Sequence, residues 1–279
     1  MGSPIIFLHV QKTGGSTIRG ILRREYGHDV IAGIPGVFNR KLLQRTIEQR
    51  TSEDNTIEVL SGHMVFGAHR HLPHSYTYIT FLRDPVDRVI SDYHYVLRTP
   101  SHDYHEPVAT DGYSLSDYVE SGITFYTNNL HARLISGEGE RAPFGECTPA
   151  MSEKAIRNLE EHPSVVGLTE HFDKSIILMK QRLGWNLPFY RVQNSTSNRP
   201  EKDEISDSDR SLIREYNAID QSLYAYARER FEDTWSDVPA SYRRDLKRLH
   251  RFNWMFGPIE KAYVALRRTT NAVVGRDIV

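Results

Sequence analysis

The residues best suited to chemistry lie near the start of the sequence, where a short apolar run leads into a glycine turn. The run that begins at Ile5 has the length of a strand, and Ile18, Ile21 and Leu22 recur afterwards at helical spacing. Between them lie an amide, a lysine, two glycines and three hydroxyls: Gln11, Lys12, Thr13, Gly14, Gly15, Ser16 and Thr17. A glycine turn before a helix N-terminus presents backbone N–H groups to an anion. The pattern predicts a phosphate-binding loop, and the simpler interpretation is a tight connection between strand and helix.

The lysine of this loop stands on the opposite side of the glycines from the lysine of ATP-binding loops. In the Walker A motif, G-x-x-x-x-G-K-[ST], the lysine follows the glycines. Here Lys12 precedes Gly14 and Gly15, and no upstream glycine supports the loop. The order therefore indicates a phosphate site of another kind.

Two further predicted strand ends carry polar residues. His63 lies in a glycine-bracketed turn at 61–67, and Arg83 directly follows a β-branched, aromatic strand, with Ser91 about two turns into the next helix. Ligands of open α/β sheets bind at the carboxyl ends of the strands. We therefore expect the Lys12 loop and the Arg83–Ser91 pair to hold phosphates at two positions of one nucleotide.

Strand-like and helix-like segments alternate along the rest of the chain. Further strands are predicted at 56–60, 76–82 and 165–168, and the stretch between the first two helices is predicted to be a loop. Helices are predicted at about 16–26, 39–50, 85–97, 115–120, 129–135, 149–161 and 170–183, with one long helix beginning at 206 or 208. This alternation predicts an α/β fold with a mainly parallel sheet flanked by helices. We divide the chain into a domain at 1–236 and a basic, aromatic C-terminal helical extension at 237–279, packed on or near that domain.

Composition excludes several classes of protein. The 279 residues include 35 basic and 36 acidic side chains, so the formal net charge of -1 gives no overall field of the kind that marks a nucleic-acid binder. Cys147 is the single cysteine, which excludes an intrachain disulfide and a cysteine-rich metal site. No signal peptide or transmembrane segment is recognisable. We therefore expect a cytoplasmic protein, unless a natural N-terminal anchor has been removed.

Several segments of the sequence resemble a known family. Residues 11–17 and 82–93 are similar to the sulfotransferase family that includes the heparan sulfate 2-O- and 6-O-sulfotransferases and their bacterial relatives. The first resembles the family's 5′-phosphosulfate loop, and the second resembles its 3′-phosphate site, with Arg83 and Ser91 at the ligand positions. Residues 62–67 resemble the segment that carries the family's catalytic histidine. The resemblance extends over about 5–232 and implies a sulfotransferase fold like that of P-loop nucleotide-binding proteins.

The resemblance also implies an activity. It implies transfer of a sulfonate group from 3′-phosphoadenosine 5′-phosphosulfate to an acceptor hydroxyl, without a metal. His63 would take the hydroxyl proton and Lys12 would stabilise the leaving oxygen. The implied nucleotide contacts are Gln11, Lys12, Thr13, Gly14, Gly15, Ser16, Thr17, Arg83 and Ser91, together with Ser195, Ser197 and Arg199 in a loop that closes over the nucleotide. The implied substrate contacts are Asn129 and Arg133.

Several alternatives stay open at this point. His69, His71 or His74 would be the base if the turn folds differently, and the same histidines suggest a metal site, although no matching carboxylates are evident. A P-loop-type kinase of small molecules would need a Walker-type lysine and Mg²⁺ ligands. A catalytically silent nucleotide-binding protein would use the basic C-terminal segment to bind a partner.

The acceptor is predicted to be a carbohydrate or a small alcohol, and no nucleic-acid partner is expected. The loops at 99–113 and 136–147 are predicted to shape the acceptor cleft. Both mix basic and acidic side chains, which favours a neutral acceptor over a long polyanion. The basic C-terminal segment at 243–251 is predicted to contact a membrane surface or a protein, and the simpler interpretation is a solvated helix packed by its aromatic residues.

Overall fold

A five-stranded, wholly parallel sheet forms the centre of the computed structural model, which describes residues 4–27, 31–37, 40–51, 57–72, 75–186, 190 and 205–255. The strand order is β2-β3-β1-β4-β5, and every pair of neighbours is parallel. The strands are β1 (Ile5–Leu8), β2 (Ile31–Val37), β3 (Val59–Met64), β4 (Thr77–Leu82) and β5 (Ser164–Leu168). The predicted α/β class with a mainly parallel sheet is confirmed.

Helices cover both faces of this sheet. They are α1 (Gly15–Tyr26), α2 (Arg40–Thr51), α3 (Pro85–Leu97), α4 (Leu115–Glu120), α5 (Leu130–Ser136), α6 (Pro149–Glu161), α7 (Phe172–Leu183), α8 (Asp207–Tyr216) and α9 (Ala218–Ser236). Side chains alternate along a strand, so Ile5 and Phe7 of β1 pack with α1 and α7 on one face, whereas Ile6 and Leu8 pack with α2, α5 and α9 on the other. Burial on both faces explains why β1 is a continuous apolar run.

The edge strand β2 lies where the sequence analysis predicts a loop. Its residues include Gly33, Pro35 and Gly36, which are depleted in strands. Proline is tolerated on an edge strand because one side of the strand needs no ladder hydrogen bonds. β2 pairs only with β3, and its register shifts between Ile34 and Val37. The prediction of a loop here is therefore wrong.

Strand β3 begins and ends later than predicted, and it includes His63. The sequence predicts a turn at 61–67, but residues 59–64 form the strand. Gly62 suits this position because a Cβ there would lie 2.1 Å from the carbonyl oxygen of Ile34 on β2. The glycine that suggests a turn instead permits the close approach of two strands.

The single long helix predicted near the C-terminus is divided at Asn217 into α8 and α9. The Asn217 side chain donates to the carbonyls of Thr127 and Ile213 at 2.8 and 2.9 Å, and it accepts from the backbone N–H of Asn129 at 3.0 Å. Asn217 therefore bonds to the segment directly before α5 at the point where the helix is interrupted.

Residues 240–255 are also helical and pack on the α1 and α7 face through Tyr242, Leu246 and Leu249. Asp245 on this helix lies 2.9 Å from Lys180 of α7. The boundary at 236/237 and the contact of the basic segment with a membrane or a protein stay predictions. Across the ranges described, no helix combines the length and apolar character needed to cross a lipid bilayer.

Candidate active site

The loop between β1 and α1 contains two residues with a left-handed backbone conformation. Lys12 has a φ of 68° and Gly14 a φ of 84°, both in the left-handed region. That region is costly for lysine, so the loop must be fixed by its surroundings. Thr13 is fully buried, and its hydroxyl donates to the carbonyl of Val10 at 2.8 Å. This hydroxyl therefore stabilises the loop, and the nucleotide contact of Thr13 stays a prediction.

Arg83 joins the end of β4 to this loop. Its Nη1 donates to the carbonyl oxygen of Lys12 at 3.0 Å, which brings together two residues that are 71 positions apart in the sequence. Asp84 caps α3 by accepting from the backbone N–H of Asp87 at 3.0 Å, and Pro85 follows it as predicted. The cap fixes the start of α3 directly after Arg83.

Lys12 lies against α3. Its Nζ is 3.9 Å from the centre of the Tyr95 ring, a cation–π contact. Ser91 is half-buried and one helical turn before Tyr95, so the two residues share a face of α3. The predicted 3′-phosphate residue Ser91 therefore lies on the face of α3 that Lys12 contacts through Tyr95.

The amino group of Lys12 is in an environment rich in positive charge. Burial lowers the pKa of Lys12 to about 8. Asp92 opposes this shift in pKa, whereas Arg98 and Arg83 reinforce it. Positive groups collected in a chain of almost zero net charge are suited to bind an anion, which would stabilise the protonated lysine.

His63 has a defined tautomer. Its Nδ1 lies 2.9 Å from the backbone carbonyl oxygen of His9. A carbonyl only accepts hydrogen bonds, so Nδ1 carries the proton and Nε2 carries the lone pair. Burial lowers the pKa of His63, the bond to His9 opposes this shift, and Arg19 adds to it. The imidazole is therefore neutral at pH 7 and can accept a proton at Nε2.

His9 is a site residue that the sequence analysis misses. It is 5% exposed, and its ring stacks between Phe7 and His63, with ring centres 5.2 and 4.2 Å apart. Burial is the main cause of its lowered pKa, to which His63 and Arg19 add. The sequence signal was the alternation along β1, which puts Phe7 and the residue two positions later on one face.

The two loop glycines are required by their neighbours. A Cβ at Gly15 would lie 1.7 Å from Nε2 of His9, so only glycine lets α1 begin beside that ring. A Cβ at Gly14 would lie 3.0 Å from the Phe172 ring, and its φ also favours glycine. The glycine pair thus permits close contact with His9 and Phe172 as well as the turn itself.

Known carbohydrate sulfotransferases are similar to most of this chain. A family model for galactose-3-O-sulfotransferases matches residues 2–252. The chain belongs to the galactose-3-O-sulfotransferase family. It is 26% identical to human galactose-3-O-sulfotransferase 2 over 274 residues, which is 88% of this chain and 65% of that protein. It is 25% identical to human heparan-sulfate 6-O-sulfotransferase 1 over 288 residues, covering 88% of this chain and 68% of that protein.

The resemblance to carbohydrate sulfotransferases predicted from the sequence is thus confirmed, and human galactose-3-O-sulfotransferase 3 is a further relative, at 25% identity over 262 residues. This match includes 88% of the present chain and 59% of that relative. The prediction of a cytoplasmic protein is wrong in view of these relatives. That prediction rested on the lack of a recognisable signal sequence. Because the chain spans only part of the length of these relatives, this lack identifies no compartment.

In this galactose-3-O-sulfotransferase family member, Arg133 has an interior role. It is fully buried, and its Nε donates to the Asn128 carbonyl at 2.7 Å. Nη2 donates to Asn128 Oδ1 at 2.8 Å and to the Pro143 carbonyl at 2.9 Å, while Nη1 donates to the carbonyls of Gly139 and Ala142. All the N–H donors of the guanidinium are used. Arg133 therefore anchors the predicted acceptor loop at 136–147. Its contact with an acceptor stays a prediction.

Asn129 likewise serves the interior. It is 5% exposed, and its Oδ1 accepts from the backbone N–H groups of Ile219 and Asp220, each at 3.0 Å. Its Nδ2 donates to the Tyr216 carbonyl, also at 3.0 Å. The side chain bonds the start of α5 to the α8–α9 junction, and the predicted substrate contact of Asn129 stays a prediction.

Arg88 and Asp92 lie behind the site, inside the protein. Arg88 is fully buried, and its Nη2 donates to the Tyr126 carbonyl. Asp92 accepts from the Tyr118 hydroxyl at 2.9 Å. Gln11, at the entrance of the loop, is half-buried beside Tyr126. The contacts of Gln11 and of residues 14–17 with a nucleotide stay predictions.

The alternative histidines are not equivalent to His63. His69 bonds to the Tyr78 hydroxyl at 2.9 Å and stacks on Tyr76, and burial lowers its pKa to about 4. Tyr78 lies at the start of β4 and Tyr76 directly before it, at the opposite end of the strand from Arg83. His74, Ser195, Ser197 and Arg199 lie outside the described residues. Among the residues described, no three histidine, cysteine or carboxylate side chains group as a metal site would require.

Proposed function

We propose that the protein transfers a sulfonate group from 3′-phosphoadenosine 5′-phosphosulfate to a hydroxyl of a carbohydrate. Membership of a carbohydrate sulfotransferase family supports sulfate transfer to a sugar. The observation that carries the mechanism is the contact of His63 and Arg83 with one loop: His63 bonds to the backbone of His9, and Arg83 bonds to the backbone of Lys12. The loop that carries Lys12 is therefore in contact with both the proposed base and a second cation, which supports a role for all three in one site.

His63 is the proposed general base. The acceptor oxygen forms a bond to sulfur, the bond between sulfur and the bridging phosphate oxygen breaks, and the hydroxyl proton passes to Nε2 of His63. A base with a lowered pKa is neutral at physiological pH and so is ready to accept a proton. The stacked ring of His9 and the bond to its carbonyl hold the imidazole in one orientation.

Lys12 and the start of α1 are proposed to stabilise the leaving oxygen. Negative charge develops on that oxygen as the bond to sulfur breaks, and a fixed ammonium beside a helix N-terminus lowers the energy of that charge. Arg83 and Ser91 are proposed to bind the 3′-phosphate, which would put a second anion on the same cluster of positive groups. Fixed cations then supply the charge that Mg²⁺ supplies in kinases, and the reaction as written needs no metal.

Calorimetry tests the nucleotide class. The protein should bind 3′-phosphoadenosine 5′-phosphate more tightly than ATP with Mg²⁺, because Lys12 precedes the glycines and Arg83 provides a second anion site. The ADP–Mg²⁺ complex serves as a further comparison. Tighter binding of Mg²⁺-ATP would favour a small-molecule kinase and contradict the sulfotransferase proposal. Binding of the 3′-phosphorylated nucleotide without transfer to any saccharide would favour the silent nucleotide-binding protein.

Arg83→Ala should weaken the binding of 3′-phosphoadenosine 5′-phosphate by roughly 10–100-fold, since a charge-assisted hydrogen bond contributes about 1.5–3 kcal/mol. The change also removes the bond to the Lys12 carbonyl. The matched control is Arg70→Ala, because Arg70 is exposed on the turn Ala68–His71, away from α3. Calorimetry of both variants measures the effect. Equal affinities for the Arg83 variant and the wild type would remove Arg83 from the nucleotide site.

A further inference from the structure

A cleft of about 310 Å³ opens beside the proposed active site, between α1 and the strands β2 and β3. Arg19 and Arg23 of α1 line one wall, and Ser61 of β3 lies opposite. Gly33 of β2 and Gly62 of β3 also line the cleft with their backbone atoms. A Cβ at Gly33 would meet no atom within 4 Å, so the space beside it is open. The predicted nucleotide contacts do not include any of these residues.

The two arginines bring uncompensated positive charge to the cleft. They lie one helical turn apart, so their side chains are neighbours on α1. Within the ranges that the structure describes, neither forms an ion pair, whereas the adjacent Arg24 lies 3.6 Å from Glu25. Arg19 is half-buried, and burial lowers its pKa, with Arg23 adding to the shift. Like charges held together at a half-buried position favour an anion that bonds to both.

Ser61 offers a further polar group. Its side chain is 5% exposed, and its Oγ has no hydrogen-bond partner among the described residues. Buried hydroxyl groups are normally bonded, because an unsatisfied one destabilises the folded protein. An unpaired hydroxyl opposite two unpaired guanidinium groups is the composition of a site for an oxyanion.

The cleft lies near the proposed catalytic base. Ser61 and His63 are two positions apart on β3 and point to the same face, which separates them by about 6.6 Å along the strand. Arg19 is close enough to influence the pKa of His63. The separation is comparable to the width of a sugar ring. A saccharide with its reacting hydroxyl at His63 would therefore place a neighbouring substituent at Ser61 and the arginines.

We infer that this cleft binds an anionic group of the acceptor, a carboxylate or a sulfate ester, next to the sugar that carries the reacting hydroxyl. The inference rests on the proposed function, and it revises the sequence-based expectation of a neutral acceptor. That expectation came from the mixed charges at 99–113 and 136–147, and the second of these loops is bonded to the interior through Arg133. The arginines select the acceptor and take no part in the bond changes at sulfur.

The test compares one oligosaccharide in three forms: with a hexuronate, with the methyl ester of that hexuronate, and with a sulfated hexose in its place. For the wild type, KM should be at least about tenfold lower for an anionic form than for the neutral ester, since hydrogen bonds to charged groups are strong. The KM values for the hexuronate form and the sulfated form show which anion the cleft prefers. The variant R19Q/R23Q should lose this difference, while Arg24→Gln, the matched control, should keep it. Equal KM values of the wild type for all three forms would overturn the inference.

Calorimetry of the same oligosaccharides, on protein saturated with 3′-phosphoadenosine 5′-phosphate, separates this inference from the proposed function. If no acceptor is sulfated, tighter binding of an anionic form to the wild type than to R19Q/R23Q still supports the cleft, and the failure belongs to the proposed function. Equal binding by both proteins overturns the cleft assignment. Weaker binding of the nucleotide itself to R19Q/R23Q would also overturn it, because the cleft would then belong to the nucleotide.

Discussion

Replacement of His63 by asparagine is expected to lower kcat by about 10²–10⁴-fold, the usual contribution of a general base. Asparagine retains an N–H group where Nδ1 of His63 donates to the His9 carbonyl, and it lacks the basic Nε2. The loop should therefore keep its conformation while proton transfer is lost. Single-turnover rates with a saccharide acceptor measure the loss, and calorimetry with 3′-phosphoadenosine 5′-phosphate should show little change in affinity.

His71→Ala is the matched control for this variant, because His71 is one of the alternative bases and lies at the end of the turn Ala68–His71. It should retain the wild-type rate. The pH profile gives independent evidence: kcat/KM of the wild type should rise with pH through a value below 6.5, since a histidine of lowered pKa becomes neutral there. Near-normal turnover of His63→Asn would show that the base lies elsewhere.

The sequence predicts the parts of the site that depend on local chemistry. A strand, two glycines and a helix specify the loop at Lys12, and Asp84 with Pro85 specifies the start of α3. Continuous hydrophobic runs are typical of strands buried on both faces, so they predict a parallel sheet from the sequence alone. The alignment of the carboxyl strand ends then follows from the fold, which is why Lys12 and Arg83 could be expected together.

Other features depend on contacts that local patterns do not encode. Gly33 and Pro35 indicate a loop, yet β2 forms because β3 offers it a free edge. Gly62 suggests a turn, whereas its role is to admit the Ile34 carbonyl. The interior roles of Arg133 and Asn129 depend on backbone carbonyls supplied by distant segments. The role of His9 could not be predicted because it depends on packing against His63 of β3 and Gly15 of α1.

Removal of the Lys12 charge is the second change with a large expected effect. Lys12→Met retains an apolar chain that can pack on the Tyr95 ring and deletes the ammonium group that we propose to stabilise the leaving oxygen. The rate of transfer should fall by about 10²–10³-fold, the cost of deleting one electrostatic contact to a developing charge. Lys174→Met is the matched control, because Lys174 also lies over an aromatic ring, that of Trp235, at 5.4 Å. Its rate should match that of the wild type.

The pH dependence identifies the charge as the cause. The pKa of Lys12 is lowered from 10.5 to about 8, so its protonated form is present below pH 8 and is lost above it. For the wild type, kcat/KM should therefore fall as pH rises through about 8, which together with His63 gives a bell-shaped profile. Arginine stays protonated throughout this range. If Lys12→Arg retains measurable activity, its kcat/KM should no longer fall above pH 8. An unchanged fall would assign that ionisation to another group.

An anion bound at the loop would raise the pKa of Lys12, so kcat at saturating nucleotide should decline at a higher pH than kcat/KM does.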